Sequence, residues 1–254
     1  MAWDPKTYMR FGAERTRPAA ELLARVAVEA PLRIADLGCG PGNSTALLAE
    51  RWPEAVIEGI DNSQEMLDEA RKSGVRAGWV LADVAAWPAE GRYDVLFSNA
   101  ALQWIDDHRA LLSRLMAFVS KGGALAVQVP RNFDAPCHTL IRKVAEGRSW
   151  AYKFDRVRDW WNVLDPEAYY DALEPSASAI DIWETTYTQV LEGEDAVFHW
   201  MSGTGLRPFA AALEGTEREM FLADYRAALA EAYPRRASGV TLYPFRRLFI
   251  VARG

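Results

Sequence analysis

The segment Asp36-Leu37-Gly38-Cys39-Gly40-Pro41-Gly42 is the most specific stretch of the chain for chemistry. Its glycines let the backbone turn sharply and come close to a bound molecule. Asp61 follows nineteen residues after Gly42. It falls at the end of the next expected strand, where a carboxylate can accept both hydroxyls of a ribose. A dinucleotide fingerprint wants Gly or Ala three residues after its second glycine, and that position holds Asn43. Asp36 stands where a pyrophosphate would approach and would repel two phosphate charges. It would welcome a cationic amino group or a sulfonium. The pattern therefore disfavours a NAD-dependent oxidoreductase and points to a cationic cofactor.

The elements that must position these residues alternate. A helix is expected over 14–30, with Thr16 as cap and Pro18 in its first turn. Strands are expected at Leu32–Leu37, Val56–Asp61, Ala77–Leu81, Tyr93–Ser98 and Ala124–Val129. Helices separate them: Asn43 to Arg51, a run to Arg71 capped by Ser63, and Asp107 to Ser120, broken by Gly122-Gly123. This rhythm implies a doubly wound, mostly parallel sheet whose ligand edge lies at the strand C-termini. After Pro130 the rhythm changes. Residues 131–163 are rich in Trp and Arg and show no clear strand signal. Pro166 to Ala172 reads as a helix, Ile180 to Val190 as a strand, 194–233 as two or three helices and Arg246 to Arg253 as a final strand. The expected organisation is an N-terminal cap helix (1–30), a cofactor core (31–130), an insertion or lid (131–165), a C-terminal part of the sheet (166–192 and 241–254) and a helical substrate cap (193–240).

The 254 residues are 50% hydrophobic and 25% charged, an ordinary globular composition. The longest wholly apolar runs are a handful of residues, too short for a spanning helix. Met1 to Lys6 show no basic stretch leading into an apolar one, so no secretory signal is expected. Cys39 and Cys137 are too few for a disulfide framework, and a cytoplasmic protein is expected. A net charge of −6 makes nucleic acid a poor first guess. Of 29 basic residues only five are Lys, so arginines dominate; some are expected to hold carboxylates in two-pronged geometry.

Asp36 to Gly42, Asp61, Asp83 and Asn99, in that order, resemble the cofactor-binding series of class I S-adenosylmethionine-dependent methyltransferases. The resemblance covers roughly residues 31–130 and implies a Rossmann-like α/β fold with a seven-stranded sheet. Carried over by position, it implies that Gly38 and Gly40 face the methionyl part of S-adenosylmethionine and that Asp36 faces its cationic end. Asp61 would hold the ribose, with Asn62 and Met66 beside the adenine. Asp83 would accept from the adenine amino group with Val84 alongside, and Asn99 and Ala100 would lie near the sulfur. Further segments resemble the family of trans-aconitate methyltransferases: Tyr8-Met9-Arg10-Phe11, Glu14 to Pro18, Leu102-Gln103-Trp104, Asp181-Ile182-Trp183, Thr204 to Pro208 and Arg247 to Arg253. That likeness implies monomethyl esterification of a tricarboxylic acid.

The chemistry suits the residues. A carboxylate nucleophile has a pKa near about 4 and is already ionised at neutral pH. No general base is needed, no metal is expected, and His108, His138 and His199 sit in no catalytic motif. What remains is orientation, worth about 7–11 kcal/mol when two bound reactants are brought into line. Arg15, Arg17, Arg207 and Arg246 are the candidates for gripping the non-reacting carboxylates, one of the first pair alternatively taking the cofactor's own carboxylate. The reacting carboxylate would meet weaker partners such as Gln103, Tyr169 or water. Trp3, Trp104, Trp160 and Trp161 are candidates for walling the site, Trp104 foremost because it follows a strand end. Methylation of another small acid or of a quinone precursor is the nearby alternative. A non-catalytic cofactor-binding protein is the alternative of a different class. No membrane partner is expected.

Overall fold

The computed structural model describes residues 12–146, 148–154, 157 and 162–254. Among these, one compact unit comprises residues 12–130, 162–185 and 247–254, and a second comprises 131–157 and 186–246.

The first unit carries the first five strands, and the last two, Ala179–Glu192 and Val240–Arg253, run on into the second. Its elements are α1 (Gly12–Arg25), β1 (Arg33–Leu37), α2 (Asn43–Arg51), β2 (Val56–Asp61), α3 (Gln64–Lys72), β3 (Gly78–Leu81), β4 (Tyr93–Asn99), α4 (His108–Met116) and β5 (Val119–Pro130). Then follow α5 (Pro136–Glu146), α6 (Pro166–Leu173), β6 (Ala179–Glu192), α7 (Ala196–Ser202), α8 (Arg207–Ala211), α9 (Gly215–Ala232) and β7 (Val240–Arg253). The strand order is β3-β2-β1-β4-β5-β7-β6. The pairs from β3 to β5 are parallel and β5 pairs with β7 antiparallel. β1 and β4 are buried almost throughout, as central strands of a covered parallel sheet must be. β6 alternates between covered and open positions, as suits an edge.

The residue types explain the layering. Ala35, Leu37, Leu96, Leu125, Val127, Val129, Leu248 and Ile250 project to one face and join Leu111, Leu112 and Leu115 of α4 in a single core. From β1 the chain builds outward through β2 to β3, and it then crosses back to place β4 on the other side of β1. The order therefore reverses beside β1, and the C-terminal ends of β1 and β4 flank that switch point.

Several boundaries differ from the sequence expectation, and β7 begins at Val240 rather than at Arg246. α1 begins at Gly12, so Pro18 sits inside the helix rather than in its first turn, and the helix ends at Arg25. α4 stops at Met116, and Val119 to Gly123 belong to β5. Paired glycines suit the break after a helix, but Gly122 and Gly123 lie within the strand. A Cβ on Gly123 would sit 2.7 Å from the Asp94 carbonyl oxygen, so only glycine fits beside the register irregularity between Tyr93 and Val95. Finally, the stretch 131–163 contains α5, an amphipathic helix whose Cys137, Ile141 and Ala145 are buried.

The second unit has its own core, made by Cys137, Ile141, Trp200, Phe209, Phe221, Tyr225 and Tyr243 among others. The expected insertion (131–165) and helical cap (193–240) thus share most of one unit. Among the described residues no helix is long and apolar enough to cross a membrane.

Candidate active site

The glycine turn follows β1. Asp36, fully buried, accepts hydrogen bonds on Oδ2 from Ser44 Oγ at 2.7 Å and Thr45 Oγ1 at 2.6 Å, both in the first turn of α2. Its other oxygen, Oδ1, is buried without a hydrogen-bond partner. Burial pushes the carboxyl up from 3.8 to about 6, the hydroxyl bonds from Thr45 and Ser44 oppose this, and the nearby Asp61 carboxylate adds to it. Gly38, Gly40 and Gly42 all have positive φ, at 72°, 54° and 91°. A Cβ on Gly40 would meet nothing within 4 Å, so open space lies over the turn, beside two carboxylates. Such a site fits a cationic ligand. Cys39 is buried in the same turn, and burial pushes its thiol far up, so it is no nucleophile.

Asp61 closes the turn from β2. Its Oδ2 accepts from the Gly40 amide and its Oδ1 from the Ser63 amide, each at 2.9 Å. One carboxylate thus fixes both the glycine turn and the start of α3, where Ser63 Oγ caps the Met66 amide. Asn62 is exposed beside it and Met66 is buried in the first turn of α3. Asp83 is exposed after β3, with Oδ1 accepting from the Ala85 amide at 2.9 Å, and Val84 is buried next to it.

The end of β4 supplies the other wall. Asn99 Oδ1 is buried and unbonded. Ala100 has φ 55°, a left-handed conformation costly for a residue with a side chain. Its amide is held by the Gln128 carbonyl at 2.9 Å, and its carbonyl accepts from Gln103 Nε2 at 2.7 Å. Gln103 Oε1 is buried with no hydrogen-bond partner. Trp104, in the same short turn, is 51% exposed. The structure therefore brings Asp36, Gly38, Gly40, Asp61, Asn99, Ala100 and Gln103 to one edge of the sheet.

Tyr169 is placed differently from the expectation. It is 1% exposed, and its hydroxyl is engaged by His108 Nδ1 at 2.5 Å and by the Leu164 amide at 3.3 Å. His108 Nε2 reaches the Leu102 carbonyl at 2.8 Å. A carbonyl only accepts, so Nε2 carries the proton and the Tyr169 hydroxyl donates to Nδ1. This chain of bonds anchors the turn bearing Gln103. Tyr169 thus contacts the core, not an open site. Burial lowers the His108 pKa below its ordinary 6.5. The unfolded chain takes up that proton first, so this stability is present above pH 6.5 and is lost as pH falls below it. Tyr169→Phe is expected to cost about 1–3 kcal/mol in chemical denaturation, because it leaves both the Leu164 amide and His108 Nδ1 unbonded; an unchanged midpoint would refute this anchoring.

The expected substrate arginines fall in both units. Arg15 lies in α1, and its side chain is outside the described residues, as are Trp3, Trp160 and Trp161. Arg17 bonds Glu21 at 2.8 Å and is largely exposed. Arg246 donates to the Asp134 carboxylate and to the Arg131 carbonyl, each at 2.7 Å. Arg207 is half-buried at the start of α8. Three contributors escaped the sequence reading: Ser44 and Thr45 under Asp36, and His108 behind the Gln103 turn. A pair of hydroxyls eight and nine residues after a strand-end Asp was the available signal for the first two.

The sheet order, the glycine turn and the strand-end acids define the fold of a class I methyltransferase. Residues 34–123 match a family described as methyltransferase domain. Among solved structures, the YcgJ protein of Bacillus subtilis matches with a TM-score of 0.61 at 12% identity, covering 94% of this chain and 99% of that one. The Haemonchus contortus phosphoethanolamine N-methyltransferase 2, solved in complex with S-adenosyl-L-methionine, matches with a TM-score of 0.54 at 15% identity, covering 93% of this chain and 52% of that one. These two likenesses are of fold alone. Trans-aconitate 2-methyltransferase of Rhodopseudomonas palustris (strain BisB5) is 47% identical over 251 residues, 98% of each chain. That of Rhodococcus jostii (strain RHA1) is 47% identical over 253 residues, 99% of each. The chain belongs to the trans-aconitate 2-methyltransferase family.

Proposed function

We propose that this chain transfers a methyl group from S-adenosylmethionine to a carboxylate of trans-aconitate, giving the monomethyl ester. The observation that carries this reading is the 47% identity over 98% of both chains to an enzyme of that name. When bound, the cofactor supplies an electrophilic methyl on a sulfonium. The chain's own residues then have separate tasks. Asp36 offers a buried, unbonded oxygen to the cofactor's ammonium, and Asn99 lies near its sulfur end. Gly38 and Gly40 let the backbone lie against the methionyl part, with Ala100 near the sulfur. Asp61 takes the ribose hydroxyls, Asn62 and Met66 flank the adenine, and Asp83 accepts from its amino group beside Val84.

The acid needs no proton acceptor, because its carboxylates are ionised near pH 7. The chain must orient it and offer positive charge. Arg207 is assigned to a non-reacting carboxylate, so that electron density stays on the attacking oxygen. Arg207→Ala is expected to raise the KM for the acid about tenfold or more, with an unchanged KM for the cofactor; an unchanged KM for the acid would remove Arg207 from the site. Gln103 is a weaker partner for the reacting carboxylate. The same reading places the chain in the cytoplasm, where thiols such as Cys39 and Cys137 stay reduced, with neither nucleic acid nor membrane as partner.

The test is incubation with labelled S-adenosylmethionine and a panel of di- and tricarboxylates, read by mass detection of the methyl ester. Trans-aconitate is expected to be the preferred acceptor. A label that passed only to a carbon or a phenol would overturn the reading.

A further inference from the structure

Two buried polar side chains at the junction of β5 and β7 are left unused by the site described above. Gln128 of β5 is fully buried, and Arg247 of β7 is 5% exposed. Gln128 pairs in register with Asn99 on one side and with Phe249 on the other, and Arg247 pairs with Pro130. Arg247 Nη1 donates to Gln128 Oε1 at 3.0 Å. That bond settles the orientation of the amide. Oε1 is the acceptor, so Nε2 presents two N–H groups, and this nitrogen is buried without a hydrogen-bond partner.

The polar character therefore changes from strand to strand along the ligand edge. β1 and β4 present acceptors, in Asp36 Oδ1 and Asn99 Oδ1. One strand further, about 4.8 Å away, β5 presents a donor in Gln128 Nε2, and the next strand, β7, presents the Arg247 guanidinium. Leaving an amide donor dry is costly, and a guanidinium removed from water favours an anion. A neighbouring amide and guanidinium suit an acceptor-only ligand with two oxygens, which is a carboxylate.

We propose that Gln128 and Arg247 form the principal carboxylate-binding pair for the acid substrate, gripping a carboxylate that does not react. The assignment rests on the proposed function. Arg247 is the more deeply buried neighbour of Arg246, and its planar fork is held in place by Gln128. The cofactor's own carboxylate is the other source of the same chemistry, and the test separates the two.

The decisive variant is Gln128→Glu. It is nearly isosteric and places a fixed carboxylate against Arg247, neutralising the guanidinium from within. The KM for trans-aconitate is expected to rise at least about tenfold. The Kd for S-adenosylmethionine, read by calorimetry, stays at the wild-type value, and the melting temperature does not fall. Arg247→Lys keeps the charge but loses the fork, and is expected to raise the acid's KM by a smaller factor. A weakened cofactor Kd with an unchanged KM for the acid would assign the pair to the cofactor and overturn the proposal. Wild-type constants in both variants would make the pair structural only and also overturn it. A wild-type chain that esterifies no polycarboxylate overturns the proposed function itself, and that result is seen before any variant is made.

Discussion

Asp36→Asn is expected to weaken S-adenosylmethionine binding about 100-fold while raising the melting temperature of the cofactor-free protein by about 3–6 °C. The two effects share one cause. Holding the carboxyl at about 6 rather than 3.8 means that its charged form costs the folded protein about 3 kcal/mol near neutral pH. An amide of the same shape keeps one oxygen for Ser44 and Thr45 and removes the charge. It also removes the anion that would pair with the cofactor's ammonium. The sign with pH follows. In the cofactor-free protein Asp36 contributes stability that is fully present below pH 3.8 and is lost as pH rises through about 6. Cofactor binding needs the carboxylate, so affinity should fall as pH drops through about 6, by up to tenfold per unit, and be flat above pH 7. In Asp36→Asn that slope should vanish. Calorimetric titration from pH 5 to 8 and thermal melting measure both. A variant that bound the cofactor normally would show that the buried charge does not serve binding, and one that melted lower would show that the charge does not cost stability.

Much of this site was legible in the sequence because its parts are local. A glycine turn, an acid at the end of each early strand and a cap such as Ser63 each declare themselves within a few residues. The sheet followed from the alternation of apolar runs with helical ones. What stayed hidden depends on contacts between distant segments. Gln128 and Arg247 meet only because β7 runs antiparallel to β5. Arg246 and Arg247 are adjacent in sequence, and nothing local says which of the two is solvated and which buried. Side chains of successive residues on a strand point to opposite faces, so a one-residue difference exchanges their environments. Tyr169 is the reverse case. Its polar hydroxyl suggested a ligand contact, and the structure gives that hydroxyl to His108 and the Leu164 amide. The helix α5 went unread because aromatic and basic residues around it mask its apolar stripe. Val119 to Gly123 are ambiguous in sequence because paired glycines signal a helix stop as readily as a strand irregularity, and the structure places them in β5.

Gly38→Ala is expected to reduce kcat/KM by about 100-fold or more and to lower stability by about 2–4 kcal/mol. Two separate costs meet at this residue. Its φ of 72° is unfavourable for any residue with a Cβ, by about 1–2 kcal/mol. In addition, the new methyl would lie 2.2 Å from Ala101 Cβ, less than a van der Waals contact by more than an ångström. Neither atom belongs to a flexible side chain, so backbone must move. The segment that moves runs from Ala100, already in a left-handed conformation, into the Gln103 turn. A shift there displaces both walls of the site at once. The contribution of the clash can be isolated, because Ala101→Gly removes the opposing methyl. The double variant Gly38→Ala with Ala101→Gly is expected to recover the packing part of the stability loss and some of the activity, leaving the backbone strain. If the double variant were as unstable as Gly38→Ala alone, the loss would arise wholly from the turn's backbone conformation and the close approach to Ala101 would carry no weight.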